Sequence, residues 1–176
     1  MELISDAPSG AEREALLWTT YRTRIYRYLY RLTGNAASAE DLTQETFLQA
    51  LRDLRRLPAP PDNLSAWLYR IATHRAIDDF RRRQRFAWLP LLGERVAGAA
   101  ADPAEAVAEH DLIFRVLRRL PRETAAMLLL RDAEGFTMTE IATMTGGNYE
   151  AVRKRLARAR EMVRSEYLRL KGESEP

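Results

Sequence analysis

The 176-residue chain, with 46% apolar and 30% charged side chains, has the apolar area for one ordinary domain or two small ones, which excludes a disordered chain. It has no cysteine, so disulfides, thiolate zinc sites and thiol catalysis are excluded together, and no apolar run reaches the roughly 20 residues of a membrane helix. The formal net charge is only +3, but arginine is clustered, and clustering creates a local field that a phosphate polyanion feels. The start, MELISDAPSGAERE, has no basic segment leading into an apolar run, so a cytoplasmic protein without membrane insertion is expected.

Helical spacing dominates and strand-type alternation is nowhere sustained, which predicts an all-α chain. A first helix is expected from Ala11 to Thr33, with Leu17, Tyr21, Ile25, Leu29 and Leu32 on one stripe, ending at Gly34-Asn35. A second opens at Ser38, with Asp41 at capping-box spacing, and runs to about Leu57, where LPAPPDN stops it. A third spans Ser65 to Arg85. The texture then changes: AWLPLLGERVAGAAADP holds no steady period and reads as a flexible linker. The expected organisation is two small helical domains, residues 1–86 and 109–176, with 87–108 between them. Asp102-Pro103 with Glu105 resembles a helix start, and shorter helices come after it, broken at Leu120-Pro121, Gly135 and Gly146-Gly147.

TMTEIATMTGGNYEAVRKRLARAREMV is the most informative stretch. Thr137 and Glu140 have capping-box spacing, Ile141, Ala142 and Met144 give a short helix an inner face, and Gly146-Gly147 ends it. Asn148 can cap the next helix, in which Val152, Leu156, Ala159 and Val163 fall on one narrow stripe. Arg153, Lys154 and Arg158 project away from that stripe, with Arg160 and Arg164 further along. A helix-turn-helix whose second helix enters the DNA major groove accounts for all of this together, whereas a solvated charged face accounts only for the charge.

On these residues the stretch LPRETAAMLLLRDAEGFTMTEIATMTGGNYEAVRKRLARAR resembles region four of the extracytoplasmic-function (ECF) group of bacterial RNA polymerase sigma factors, in the sigma-70 family. AEDLTQETFLQAL and SAWLYRIATHRAIDDFRRR resemble region two of the same group, so the likeness covers about Tyr21 to Arg164 in the family's order. It implies a non-enzymatic protein, without metal or other cofactor, that binds core RNA polymerase through the beta and beta-prime subunits and lends it promoter specificity. Region four would read the -35 element as duplex, with Asn148, Tyr149, Arg153, Lys154, Arg155 and Arg158 at the matching positions. Asn148 stands where many members carry proline and Glu150 where they often carry glycine.

On the second helix Leu42, Phe47, Leu51 and Leu54 can face a core, while Asp41, Glu45, Leu48 and Arg52 form a mixed stripe with a leucine in it. That stripe suits a solvated face or a protein partner equally. The resemblance implies the partner: Asp41, Gln44, Glu45, Phe47 and Leu48 match the segment that grips polymerase. On and just before the third helix, Asn63, Ser65, Trp67, Tyr69, Arg70, His74, Arg75 and Arg81 are the candidates for capturing the melted -10 strand. Aromatics with interleaved arginine suit that task, although Trp67 and Tyr69, each taken alone, fit a core better than a stacking platform. His74 stands where members commonly have asparagine. Trp88, Leu89, Leu91 and Leu92 give the linker an apolar patch, and many members of the family are held by an anti-sigma factor.

Two rival classes remain. An autonomous helix-turn-helix regulator would bind its operator alone, as a dimer. An enzyme would need more than His74 and Asp78 at helical spacing, which without a third ligand read as a surface pair.

Overall fold

The computed structural model describes residues 10–59, 61–86 and 108–172. They form seven α-helices and one π-helical turn, with no strand among the described residues: α1 (Gly10–Thr33), α2 (Ala36–Leu54), α3 (Leu64–Phe86), α4 (Ala108–Arg119), α5 (Arg122–Leu128), the π turn (Leu129–Ala133), α6 (Met138–Thr145) and α7 (Tyr149–Gly172). The chain is all-α, as its periodicity requires. Helices α1, α2 and α3 pack on one another, and α4, α5 and α6 pack around α7. The linker apolar residues Trp88 to Leu92 and the expected helix start at Asp102-Pro103 lie outside the described residues.

The α1 stripe is realised: Leu17, Ile25, Leu29 and Leu32 are buried and Tyr21 packs against them half-buried. Tyr28 joins them, fully buried, with its hydroxyl 2.8 Å from that of Thr73 on α3. Thr73 donates its own proton to the Tyr69 carbonyl at 2.7 Å, so Tyr28 is the donor of the pair. On α2, Thr43 and Thr46 are buried between Leu42 and Phe47, and each hydroxyl donates to the carbonyl four residues back at 2.6 Å. No buried hydroxyl there lacks a partner, which is why polar side chains are tolerated at core positions.

Three boundaries differ from expectation. Helix α2 is capped by Asn35, not Ser38: Asn35 has an extended backbone and its Oδ1 accepts the Ser38 N–H at 2.7 Å, leaving Ser38 buried inside the first turn. Gly34, at φ +67°, turns the chain so that Asn35 reaches the cap position first. The same helix ends at Leu54 rather than Leu57, and the N–H groups of Arg56 and Leu57 fold back to the Asp53 carbonyl. Helix α3 begins one residue earlier than expected, with Asn63 Oδ1 accepting the Ala66 N–H at 2.9 Å.

The π turn has no counterpart in the expected elements. Its signature is the Glu134 N–H donating to the Leu129 carbonyl at 3.0 Å, five residues back.

The buried residues of the two helix groups form one continuous apolar cluster, from Leu17 and Tyr28 through Tyr69 to Phe136, Leu156 and Ala159. Across the seam, Phe136 meets Tyr69 edge-on at 5.0 Å between centroids and Phe114 meets Tyr30 at 5.3 Å. The Arg122 guanidinium lies over Phe80 and donates to the Leu32 carbonyl at 2.9 Å; burial, with Arg118 nearby, lowers its pKa from the usual value. Arg118 donates to the Gly34 carbonyl at 3.1 Å, so close that a side chain at Gly34 would meet the guanidinium.

Candidate nucleic-acid interface

The helix-turn-helix is built by local capping. The Glu140 N–H donates to Thr137 Oγ1 at 3.2 Å while the Thr137 N–H donates to Glu140 Oε2 at 2.8 Å, a complete capping box that opens α6. The Thr137 N–H and the Thr137 hydroxyl both donate to Glu140 Oε2 at 2.8 Å, and together they hold the Glu140 carboxyl below the usual carboxylate range. Gly146 closes α6 at φ +68°, and Asn148 Oδ1 accepts the Ala151 N–H at 2.8 Å to open α7. Every one of these signals is local, and every one is present as expected.

Val152, Leu156 and Ala159 are buried and Val163 packs beside them, so α7 is pinned by one stripe. Burying a side chain of that size is worth about 1.5–3 kcal/mol, enough to fix the helix rotation. Arg153, Lys154, Arg155 and Arg158 are consequently exposed. Arg153 forms a fork onto Glu150, at 3.1 and 2.9 Å, and the neighbouring carboxylate raises its pKa further. Among the described residues no carboxylate pairs with Lys154, Arg155 or Arg158. Asn148 and Tyr149 stand exposed at the start of the helix, Asn148 doubling as its cap. This arrangement gives a rigid rod with a cationic, hydrogen-bond-donating face, as groove reading requires.

On α2, Asp41, Gln44, Glu45 and Leu48 are exposed, Leu48 at 54%, while Phe47 is core. Trp18 of α1 packs edge-on against Phe47 at 4.8 Å, remains partly open, and carries the Arg22 guanidinium over its ring. Nothing in the residue spacing marks Trp18 as a border of this face.

The α3 candidates separate. Arg70 and His74 are exposed; Arg75 straps α3 to α2, donating to Gln49 Oε1 at 2.9 Å with Glu45 at 3.7 Å. Trp67 and Ser65 are half-buried. Tyr69 is fully buried, its ring between Tyr28 and Phe136 and its hydroxyl donating to Glu134 Oε2, so in this arrangement it belongs to the core. Burial and that carboxylate push its pKa well above the usual tyrosine value. Arg81 donates to Glu123 Oε1, and the Asn63 amide donates to Glu140 Oε1 at 3.0 Å. Glu123, Glu134 and Glu140 thus all reach α3 or its cap from the C-terminal helices. No single-segment pattern could have revealed those pairs, which join residues 42 to 77 positions apart. His74 and Asp78 lack a third ligand, and no group of metal-ligating side chains occurs among the described residues.

An open cleft of about 1550 Å³ lies between the α2–α3 face and the end of α6, lined by Glu45, Arg70, His74, Arg82, Thr145 and Gly146 among others. A smaller cavity of about 260 Å³ is lined by His74, Arg81, Glu123 and Arg155 of α7 among others. No helix among the described residues is long and apolar enough to cross a membrane.

The family model described as Sigma-70 region 2 matches residues 17–86, and that described as Sigma-70, region 4 matches residues 110–163. The chain is 37% identical over 146 residues to the ECF RNA polymerase sigma factor SigE of Mycolicibacterium smegmatis, covering 80% of this chain and 56% of that one. To the ECF RNA polymerase sigma factor EcfG of Rhodopseudomonas palustris it is 32% identical over 133 residues, covering 75% and 72%. To BldN of Streptomyces coelicolor it is 32% identical over 159 residues, covering 87% of this chain and 60% of that one. The match therefore spans little more than half the length of SigE and BldN. Among solved structures, the sigma factor RpoE in complex with the anti-sigma factor NepR from Bartonella quintana matches with a TM-score of 0.73 at 22% identity, covering 90% of this chain and 97% of that one. CnrH, in complex with the cytosolic domain of CnrY, matches with a TM-score of 0.65 at 20% identity, covering 92% and 89%. At those identities the likeness is one of fold.

Proposed function

Since the chain belongs to the ECF RNA polymerase sigma factors, we propose that it binds core RNA polymerase through the beta and beta-prime subunits and directs it to promoters carrying matched -35 and -10 elements. The observation that carries this reading is the exposed row Arg153, Lys154, Arg155 and Arg158 on a helix whose opposite stripe is buried and whose start is capped. Such a row enters the major groove as a rigid body, neutralising phosphates and forking onto guanine edges.

Residues 1–86 act as region two, 87–108 as the tether and 109–176 as region four. Asp41, Gln44, Glu45 and Leu48 dock on polymerase, with Phe47 supporting them from the core. Arg70, His74 and Arg75, with Asn63, Ser65, Trp67, Tyr69 and Arg81 once free, take the melted -10 strand. Melting proceeds by capture: bases that leave the duplex gain stacking and phosphate contacts worth about 1–3 kcal/mol per base, which offsets the unstacking cost without ATP. The protein works in the cytoplasm, where its polymerase is, and an anti-sigma factor restrains it.

Run-off transcription with purified core polymerase across a genomic promoter library tests this reading. Initiation from a defined subset of promoters is expected. A chain that binds operator DNA unaided, as a dimer, and never redirects core polymerase would refute it.

A further inference from the structure

The cationic row on α7 contains one carboxylate. From Tyr149 to Arg160 the helix holds Arg153, Lys154, Arg155, Arg158 and Arg160, and Glu150 is the single acidic residue among them. At about 100° per residue, Glu150 lies nearly opposite the buried Val152–Leu156–Ala159 stripe, between Arg153 and Lys154 on the outward face. Its side chain is 61% exposed. An acid in the first helical turn gains about 0.3–1 kcal/mol from the macrodipole, which suits its place in the helix. It does not suit the surface, because a carboxylate repels the phosphates that the neighbouring cations attract.

The geometry of the pair resolves this conflict. Arg153 donates to Glu150 through Nε at 3.1 Å and through one terminal nitrogen at 2.9 Å, both onto Oε2. Those bonds occupy the side edge of the guanidinium. Its end edge, formed by both terminal nitrogens, still has the two-donor fork that fits guanine N7 and O6. Because both bonds end on Oε2, Oε1 is left to accept from a third group. In the major groove that group is cytosine N4, whereas thymine O4 and guanine O6 repel it. The lysine and arginines around Glu150 are donors only and cannot make this contact. Two bonds to one oxygen also hold the long Arg153 side chain in place, so less freedom is lost when it meets a base.

We infer that Glu150 is a specificity-determining residue of the α7 face: with Arg153 it reads a guanine next to a cytosine in the -35 duplex, and it rejects thymine at the cytosine position. This inference rests on the proposed reading of the -35 element by α7. The pair carries no net charge, so it contributes to the choice of sequence while Lys154, Arg155 and Arg158 supply the attraction to phosphate.

The test uses holoenzyme assembled from the full chain and purified core polymerase, on a promoter library randomised through the -35 element and constant elsewhere. Templates that initiate are sequenced. For the native chain, cytosine at one position beside a guanine should be preferred over thymine by about tenfold, within the range that a base-edge contact discriminates. Glu150→Gln should reduce that preference to about twofold or less, since an amide both donates and accepts, while the adjacent guanine stays enriched. The same holoenzyme should bind a duplex lacking the element more tightly, with a salt slope steeper by about one phosphate contact as Arg153 is released. Arg153→Lys keeps the charge and loses the fork, and should weaken the guanine preference instead. Glu161→Gln removes a carboxylate about 16 Å further along the same helix and should leave every base preference as it was.

Unchanged base preferences in Glu150→Gln would overturn the inference. So would an equal loss of initiation from every template, which marks an acid that only stabilises the helix, or the same flattening in Glu161→Gln. A native chain that initiates from no template removes the sigma reading and this inference with it. Native initiation at defined promoters, with Glu150→Gln choosing the same ones, removes the inference alone.

Discussion

The Tyr69 hydroxyl on α3 donates to the Glu134 carboxylate just after the π turn, joining residues 65 positions apart across the seam between the two helix groups. Glu134 has only 8% of its side chain exposed, and its cationic neighbour, Arg31, stands 3.5 Å away. Tyr69→Phe therefore leaves a buried carboxylate short of a donor while keeping the ring contacts. It should cost about 1–3 kcal/mol, read as a lower urea midpoint with unchanged slope. Glu134→Gln keeps an acceptor and should cost less.

Tyr28 and Tyr69 both have pKa values raised above the usual tyrosine range, chiefly by burial. In the folded chain they keep their protons beyond pH about 10, where the unfolded chain releases them. The native state then binds more protons than the unfolded one, so stability falls as pH rises above about 10. A tyrosinate absorbance titration should show two late-ionising groups whose appearance coincides with loss of helical circular dichroism. Ionisation of all seven tyrosines together, with the helix signal intact, would contradict this.

What was legible in the sequence was what is local. The Thr137–Glu140 box, the Asn148 cap and the Val152–Leu156–Ala159 stripe each depend on residues a turn or two apart, and all three stand in the fold. The choice between Asn35 and Ser38 shows where local reading fails: both are good caps, and the backbone turn at Gly34 decides between them. Tyr69 shows another limit, since spacing cannot say which helix will lie over an aromatic, and the cover arrives from Phe136 and Glu134 in the distant group. The π turn had no readable signal, because one extra residue in a helix leaves the apolar pattern nearly intact.

Gly146 ends α6 at φ +68° with nothing within 4 Å of where a Cβ would stand. Gly146→Ala should accordingly carry a backbone cost alone, about 1–2 kcal/mol, seen as a lower thermal midpoint without change in the helical spectrum.

Arg153→Ala combined with Arg158→Ala removes two donors from the outward face of α7 and no core contact. Promoter-dependent transcription should fall, with duplex affinity reduced by about 1–3 kcal/mol for each base-contacting arginine, while affinity for core polymerase stays constant. Loss of polymerase binding in this variant would contradict the division of labour.

Asp41→Ala with Leu48→Ala strips a charge and an exposed apolar anchor from α2. Affinity for core polymerase should drop by at least about tenfold in a pull-down titration, a change of roughly 1.4 kcal/mol. Affinity for the -35 duplex should not change.

The π turn has one more effect, on the phase of the helices. It inserts a residue between α5 and the segment leading to α6, and a residue in a helix is worth about 100° of rotation. Deleting Ala133 would let the helix regularise and swing Glu134 and Phe136 off the axis that aims them at α3. A one-codon deletion at this point could therefore uncouple the halves while leaving both folded, so interdomain contact in this chain is set by register as well as by residue identity.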